Sequence, residues 1–258
     1  MANIKSFCNF IVISTIFGLL ISGCQNQTTP IPPLSKPQKV LIVVGDDRSG
    51  STVAIRKLDT NDYRQLFNLI QQYGGGTLAV EIIGNPQPQQ KQPFTYFIKP
   101  AFPLYQFDPM DPKYTLTQKK NMNLKNDSLN ILNQSISREN QSRINKYLTE
   151  IQNNVITYIP SGGDHTDINS SFLYINKLLN EPIFNQYNKT IIIICSDGIH
   201  QPRSKIEPIT EKLQGGRAEV LLLGWQTDKQ VIEGSLVHEF ADKTSLLEYL
   251  HNSLIGNN

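Results

Sequence analysis

The sequence predicts an α/β fold: a Rossmann-like, mostly parallel central sheet with helices on both faces and one antiparallel edge strand. The first observation is that three runs, residues 40–45, 190–196 and 218–224, are almost continuously apolar. Such runs are typical of parallel strands that are buried on both faces. The second observation is that segments with helical periodicity separate these runs. Alternating strands and helices favour a parallel sheet covered on both sides.

The antiparallel edge is predicted from two further strand candidates. Residues 77–84 and 94–98 are rich in β-branched and aromatic residues, and the stretch NPQPQQKQP separates them. Prolines are tolerated at the edge of a sheet, where a backbone N–H does not have to pair with a neighbouring strand. We therefore expect these two strands to form a hairpin at a sheet edge.

Four apolar stripes at helical spacing predict the covering helices. The first helix is expected to be capped by Thr60 and ended by the glycines at 74–76, and the fourth to be capped by Asp242. A further stripe over residues 140–156 predicts a helix with a polar outer face, whereas residues 99–123 are expected to be irregular. The four stripes are Tyr63, Leu66, Phe67, Ile70 and Tyr73; Ile168, Phe172, Ile175 and Leu179; Ile206, Ile209 and Leu213; and Leu246, Leu247, Leu250 and Leu254.

Residues 1–23 are predicted to be a signal peptide. One early cation, Lys5, precedes an apolar run that is too short and wrongly flanked for a membrane span, and the run ends in Ile-Ser-Gly-Cys24. Small residues before a cysteine resemble a bacterial lipobox, in which Cys24 becomes lipidated and forms the new N-terminus. The alternative is an ordinary signal or an anchor helix with an incidental cysteine.

Composition sets the remaining boundaries. Residues 24–38 are rich in Gln, Thr and Pro and predict a flexible tether, so the folded domain is expected to span residues 39–256. With Cys8 removed in the signal peptide and Cys24 lipidated, Cys195 would have no partner for an internal disulfide. Its apolar context predicts an inert buried thiol. A formal net charge of +2 without a basic tract argues against nucleic acid as a partner.

A polar turn follows the first predicted strand. Asp47, Ser49 and Ser51 form an Asp-x-Ser-x-Ser pattern. Taken alone, this pattern is better explained by a polar turn in which Asp47 caps the backbone of Ser49 or Gly50. Two distant residues favour a functional site. Thr166 lies in a Gly-rich loop just before a predicted helix, and Asp197 lies just beyond a buried strand. All five residues are expected at the carboxyl edge of the sheet, where ligands bind in such folds.

In these residues the chain resembles the von Willebrand factor A (vWA) domain family, from about residue 39 to residue 256. The metal-ion-dependent adhesion site (MIDAS) of that family consists of Asp-x-Ser-x-Ser, a distant Thr and a more distant Asp, and the sequence supplies them in that order. The resemblance implies that Ser49, Ser51 and Thr166 bind the metal directly. Asp47 and Asp197 would hold its bound waters or approach it as the site changes state.

The resemblance also implies the metal and the partner. Mg²⁺ prefers six oxygen ligands and readily retains water, and Mn²⁺ and Ca²⁺ are alternatives. Neutral hydroxyl ligands leave its charge incompletely compensated, so the ion can accept a carboxylate from a protein or peptide partner. The interval between Phe94 and Thr166 is longer than a minimal vWA domain requires. Residues 99–140 are therefore predicted to form an insertion near the metal face.

Residues close to the candidate site are not predicted to be metal ligands. Arg48 and Gly50 are taken as spacers, and Asp46 as an exposed cap or a hydrogen-bonding group behind the site. Thr157 lies in an apolar, strand-like stretch. It is therefore a poorer candidate for a metal ligand than Thr166. The only tryptophan, Trp225, is expected to contribute packing.

The resulting expectation is a lipid-anchored protein of the bacterial cell envelope, exported to the outer membrane or the cell surface. It would bind a protein or peptide partner through a divalent metal, contact the membrane only through its lipid, and not be an enzyme. One alternative is a structural or assembly factor with a vestigial metal site. Another is a hydrolase with Ser49 or Ser51 as nucleophile. Two observations argue against a hydrolase. The sequence has no Gly-x-Ser-x-Gly motif, and none of its histidines lies in a recognisable catalytic-triad motif.

Overall fold

The computed structural model describes residues 36–48, 57–83, 93–158, 168–198, 218–226 and 236–256. The strands are β1 (Val40–Asp47), β2 (Gly76–Ile83), β3 (Phe94–Ile98), β4 (Lys189–Cys195), β5 (Glu219–Leu223) and β6 (Leu236–Phe240). The helices are α1 (Thr60–Tyr73), α2 (Leu116–Ile151), α3 (Ile168–Leu179) and α4 (Lys243–Leu254). A π-helical turn at Gln152–Ile156 follows α2, and a 3₁₀ turn at Pro182–Gln186 follows α3.

The six strands form one sheet in the order β3-β2-β1-β4-β5-β6. All neighbouring strands are parallel except β2 and β3, which are antiparallel. The predicted Rossmann-like α/β fold with an antiparallel edge strand is therefore confirmed. The strand order reverses at β1, which has β2 on one side and β4 on the other. In open sheets of this kind, ligands bind at the carboxyl ends of the strands that flank such a reversal.

Helices cover both faces of the sheet, as predicted. On one face, α1, α4 and the end of α2 bury Phe67, Leu250 and Ile144 against the sheet. On the other face, α3 packs Phe172 and Ile175 against it. Successive side chains of a strand point to opposite faces, and the two cores accordingly take alternate residues of β1. This alternation decides the surroundings of every polar residue at the end of β1.

Two expectations about individual elements were wrong, and one strand was missed. Asp59, not Thr60, caps α1, because its carboxylate accepts hydrogen bonds from the N–H groups of Asn61 and Asp62. The helix α2 begins at Leu116, so residues 116–123 are helical rather than irregular. The strand β6 was not predicted. Gly74 at the end of α1 and Asp242 at the start of α4 are the helix ends that the sequence predicted.

Residues 105–125 belong to a compact unit distinct from the one that contains the sheet. Within this stretch, Gln118 provides a hydrogen-bond acceptor at the start of α2. Its side-chain oxygen accepts a hydrogen bond from the backbone N–H of Thr115 at 2.8 Å. The Lys125 ammonium lies 5.6 Å from the centre of the Tyr105 ring, a cation–π distance. The hydrogen bond from Thr115 to Gln118 stabilises the first turn of α2, where the sequence has no clear apolar stripe.

Several predictions about the chain lie outside the described residues. These are the signal peptide at residues 1–23, lipidation at Cys24, most of the tether at 24–38, and the helix through Ile206, Ile209 and Leu213. Among the helices of the described ranges, none is both long enough and apolar enough to cross a membrane.

Replacing Asp59 with alanine is expected to lower the free energy of unfolding by about 1 kcal/mol, the usual cost of losing an N-cap. The Asp59 carboxylate also lies 2.9 Å from the Lys243 ammonium on α4, an ion pair that is partly exposed and worth little. Asp59→Asn keeps a good cap and removes the charge, so it should cost much less in urea denaturation. Equal losses in the two variants would show that the ion pair, not the cap, stabilises this end of α1.

Candidate functional site

Two of the five predicted metal-site residues, Asp47 and Asp197, lie in the described part of the chain at the ends of adjacent strands. Asp47 is the last residue of β1, and Asp197 follows the end of β4. The two strands are parallel neighbours, with Asp46 paired to Cys195. Both carboxylates therefore lie at the predicted carboxyl edge of the sheet. They are 0% and 2% exposed, respectively, which is rare for aspartates without compensating contacts.

The other predicted site residues, Ser49, Ser51 and Thr166, lie outside the described residues. Their neighbours along the chain are described. Arg48 directly precedes Ser49, and α3 begins at Ile168, two residues after Thr166. The placement of these three hydroxyls remains a prediction from the sequence.

Ser196 is a polar residue of this edge that the sequence interpretation missed. Its hydroxyl donates a hydrogen bond to Oδ2 of Asp47 at 2.7 Å and accepts one from the N–H of Gly198 at 3.1 Å. Ser196 thus links the end of β1 to the turn after β4. Its position directly before Asp197, at the carboxyl end of a buried strand, was the available signal.

The turn after β4 is also held by the neighbouring strand. The N–H of Ser196 donates to the carbonyl of Leu223 at 3.2 Å, and the N–H of Gln226 donates to the carbonyl of Asp197 at 3.0 Å. Gly198 has φ of 76°, a conformation that favours glycine. The backbone around Asp197 is therefore fixed by hydrogen bonds on both sides of the residue.

Asp46 and Arg48 form a buried ion pair on the α1 side of the sheet. The Arg48 guanidinium contacts Oδ2 of Asp46, and the same oxygen accepts a hydrogen bond from the Tyr63 hydroxyl at 2.7 Å. Burial raises the pKa of Asp46, and Arg48 opposes that rise. Burial and the nearby Asp46 raise the pKa of Tyr63 well above its usual value.

This pair corrects two expectations. Asp46 is 0% exposed, so it is not an exposed cap, although it does take part in hydrogen bonds. Arg48 is 7% exposed and bonded to the protein interior, so it is more than a spacer. The alternation of side chains along β1 sends Asp46 toward α1, away from the side on which Asp47 meets Ser196.

Glu81 is a fourth buried acid near this edge, after Asp46, Asp47 and Asp197. It lies on β2, in register with Gly45 of β1, and hydrogen-bonds with Ser171 of α3. Its Oε2 atom has no hydrogen-bond partner within the described parts of the chain. Burial raises the pKa of Glu81 to about 8, and the Ser171 hydrogen bond opposes the rise. The sequence interpretation assigned no role to this residue.

Three secondary expectations can be compared with the structure. Cys195 is a buried free thiol, as predicted, and burial raises its pKa well above the usual value. Trp225 packs against the core on the α3 face, also as predicted. Thr157 is not in a strand. It ends the π-helical turn after α2, and its hydroxyl donates to the carbonyl of Asn153 at 2.9 Å.

The described donor atoms at this edge suit a hard cation. Asp47, Asp197 and Ser196 offer carboxylate and hydroxyl oxygens, the ligand type that Mg²⁺ prefers. Within the described ranges, no group of three or more His, Cys, Asp or Glu side chains could hold a metal. A MIDAS draws three of its five ligating or supporting groups from Ser and Thr, so its donor set differs in kind from such a group. The described oxygens of Asp47, Asp197 and Ser196 are thus of the kind that Mg²⁺ binds, and the three predicted hydroxyl ligands lie outside the described residues.

Comparisons with known proteins add little to this description. No protein-family model matches the chain, and no curated protein matches it. A solved structure of proximal thread matrix protein 1 from the mussel byssus matches with 15% sequence identity and a TM-score of 0.38, over 85% of this chain and 48% of that chain. The chain thus spans about half the length of the mussel protein, and a likeness this low carries no argument.

Proposed function

We propose that this chain is a lipid-anchored binding protein of the bacterial cell envelope that holds a divalent metal at the carboxyl edge of its sheet. The observation that carries the proposal is the burial of Asp47 and Asp197 at the ends of adjacent parallel strands, with the Ser196 hydroxyl bound to Asp47. Two carboxylates are costly to bury side by side unless hydrogen bonds or a cation compensate them. The resemblance to the vWA family supports the same site.

In this proposal the hydroxyls of Ser49, Ser51 and Thr166 bind the metal, and Asp47 and Asp197 hold its waters. Mg²⁺ is the preferred ion, with Mn²⁺ and Ca²⁺ as alternatives. When bound, the metal supplies a positive charge that takes up a carboxylate of a protein or peptide partner. The protein's own contribution is to fix the geometry of that site. Binding rather than catalysis is the proposed activity, and nucleic acid is not a partner.

The envelope location rests on the N-terminal sequence. Residues 1–23 would be removed as a signal peptide, Cys24 would carry the lipid, and residues 24–38 would tether the domain to the membrane. The membrane is then contacted only through the anchor. Export to the outer membrane or the cell surface agrees with a site that faces a partner outside the cytoplasm.

Titration of Mg²⁺ into the mature protein is expected to release or absorb heat and to raise Tm, because a ligand that binds only the folded state stabilises it. Asp47→Ala should abolish both responses. The matched control is Asp62→Ala, which removes another buried aspartate, one that lies 2.8 Å from the Lys243 ammonium. This control should lower Tm but keep the response to Mg²⁺.

Two outcomes would contradict the proposal. One is a wild-type protein that gives neither heat nor a Tm shift with Mg²⁺ or Mn²⁺, and the other is an Asp47→Ala variant that responds as the wild type does. Pull-down from an envelope extract, with Mg²⁺ or with a chelator, then tests the partner. A partner retained in chelator would favour the structural or assembly factor.

A further inference from the structure

A small cavity lies at the amino edge of the sheet, opposite the edge that carries Asp47 and Asp197. The end of α3, the 3₁₀ turn after it and the first residues of β4 surround the cavity, and its volume is about 180 Å³. Sites for drug-sized ligands usually enclose about 300–1,000 Å³, so this cavity suits a ligand with a single small ring. Its lining includes Asn180, Asn185, Asn188, Phe184, Tyr187 and Thr190.

The lining of the cavity is polar but uncharged. Among the described residues that surround it, none has a side chain that is ionised at neutral pH. The Lys39 ammonium donates to Oε1 of Gln186 at 3.2 Å, and neither residue is part of the lining. The helix α3 ends at Leu179, and the C-terminal end of a helix carries partial negative charge. An anionic ligand would therefore meet an unfavourable helix dipole and no cation in the lining, and a cationic ligand would meet no carboxylate there.

Three asparagine amides supply both donors and acceptors to this cavity. Asn188 is held by Lys39, because its Oδ1 accepts a hydrogen bond from the Lys39 N–H at 2.8 Å and its own N–H donates to the Lys39 carbonyl at 2.9 Å. Its Nδ2 group is therefore the part left for a ligand. In Asn180 the roles are reversed. Its Nδ2 donates to the Asn176 carbonyl at 2.9 Å, so its Oδ1 is left as an acceptor, and Asn185 is exposed and brings a third amide.

Two aromatic rings form a fixed apolar wall beside these amides. The ring centres of Phe184 and Tyr187 lie 6.0 Å apart, with an angle of 24° between the ring planes. The Tyr187 hydroxyl shares a hydrogen bond of 2.6 Å with the Thr77 hydroxyl on β2, and Phe184 is 7% exposed. Because these contacts already hold the rings, little side-chain entropy would be lost when a ligand packs against them.

We propose that this cavity binds one neutral sugar ring. A sugar hydroxyl both donates and accepts hydrogen bonds, as an amide does, and the C–H groups of the ring give it an apolar surface for the aromatic wall. The uncharged lining selects a neutral sugar over an acidic or amino sugar, because a charge would be desolvated there without a counter-charge. The cavity and the proposed metal site lie at opposite edges of the sheet, so the sugar site goes beyond the proposed function and does not depend on it.

Three sugars with related rings and different charges test the cavity in the mature protein. N-acetylglucosamine is neutral, glucosamine is a cation in slightly acidic solution, and glucuronate is an anion. In saturation-transfer NMR, N-acetylglucosamine is expected to receive more signal from the protein than either charged sugar. Asn185→Ala removes one exposed amide of the lining and is expected to raise the Kd for N-acetylglucosamine by about 3- to 10-fold, the usual effect of losing a neutral hydrogen bond. A chelator should change neither result.

The matched control is Asn130→Ala, which removes an exposed amide on α2, outside the cavity, and should leave the Kd unchanged. Three results would overturn the sugar site: no transfer to N-acetylglucosamine at millimolar concentration, stronger transfer to a charged sugar, or the same Kd in the wild type and in Asn185→Ala. The two proposals fail in different ways. A protein that binds the sugar but not Mg²⁺ overturns only the proposed function, and one that binds Mg²⁺ but not the sugar overturns only the sugar site.

Discussion

Glu81→Gln is expected to stabilise the protein at pH 8 and above, and to leave its stability unchanged below about pH 4.5. Glu81 is 8% exposed and its Oε2 atom lacks a hydrogen-bond partner in the described structure. Its pKa is raised from 4.5 to about 8 by burial. The folded protein therefore keeps a proton on Glu81 at pH values where the unfolded chain has released it, and glutamine mimics that neutral form at every pH.

The direction of this pH dependence follows from the difference in proton binding between the folded and unfolded states. Between pH 4.5 and about 8 the folded state binds more protons than the unfolded state, so the free energy of unfolding falls as pH rises. Each pH unit corresponds to about 1.4 kcal/mol, which makes the full penalty on the order of 3–5 kcal/mol above pH 8. Urea denaturation of both proteins at pH 5, 7 and 9 measures this difference, because contributions from other groups cancel between them.

The control for this prediction is Glu248→Gln. It makes the same chemical change at an exposed position on α4 and should change the free energy of unfolding by no more than about 0.5 kcal/mol, as surface substitutions usually do. If Glu81→Gln differed from wild type by the same amount at pH 5 and pH 9, Glu81 would not be neutral in the folded protein. Glu81 also interacts with two residues of α3, because it hydrogen-bonds with Ser171 and its charge raises the pKa of Tyr174.

The central strands were predictable because their surroundings are uniform. β1, β4 and β5 lie in the interior of the sheet, and their residues are almost all buried, so the sequence is continuously apolar there. β6 gave no such signal. It is an edge strand whose residues are exposed or half-buried, and its sequence, LVHEF, mixes apolar and charged side chains.

The first part of α2, like β6, could not be predicted from the pattern of apolar residues. Its last turns carry the predicted stripe, with Ile144, Leu148 and Ile151 buried in the core. Its earlier turns expose Leu124, Ile131 and Leu132, so no apolar face repeats at helical spacing over that part. Periodicity reports burial against a core, and a helix that extends beyond its core cannot be recognised by it.

At the candidate site, the sequence predicted which carboxylates would lie at the same edge of the sheet, and it did not predict the residues around them. The order of strands was enough to bring Asp47 and Asp197 to one edge. The pairing of Asp46 with Arg48 depends on alternation along β1, which places Asp46 on the same face as Val40, Ile42 and Val44. The same alternation would have predicted a buried Asp46, and hence the need for a cationic partner nearby.

Phe67→Ala is expected to lower the free energy of unfolding by about 3–5 kcal/mol, the cost of deleting a large aromatic side chain from a packed core. The Phe67 side chain, on α1, is 0% exposed. Its ring centre lies 6.0 Å from that of Tyr96 on β3, in an edge-to-face arrangement, and 5.9 Å from that of Tyr147 on α2. The substitution would leave a cavity where a strand and two helices meet. Urea denaturation measures the loss, which is a large share of the stability of an ordinary domain.

The matched control is Leu173→Ala, at a position of α3 that is 57% exposed, where the change should stay within about 0.5 kcal/mol. A loss below about 1 kcal/mol for Phe67→Ala would mean that α2 does not pack firmly on α1 and β3. The result bears on the predicted insertion at residues 99–140, because α2 continues from Leu116 through that boundary to Ile151. A large loss shows that the part of α2 beyond residue 140 belongs to the core of the domain, so that any inserted segment ends within a continuous helix and not at a loop.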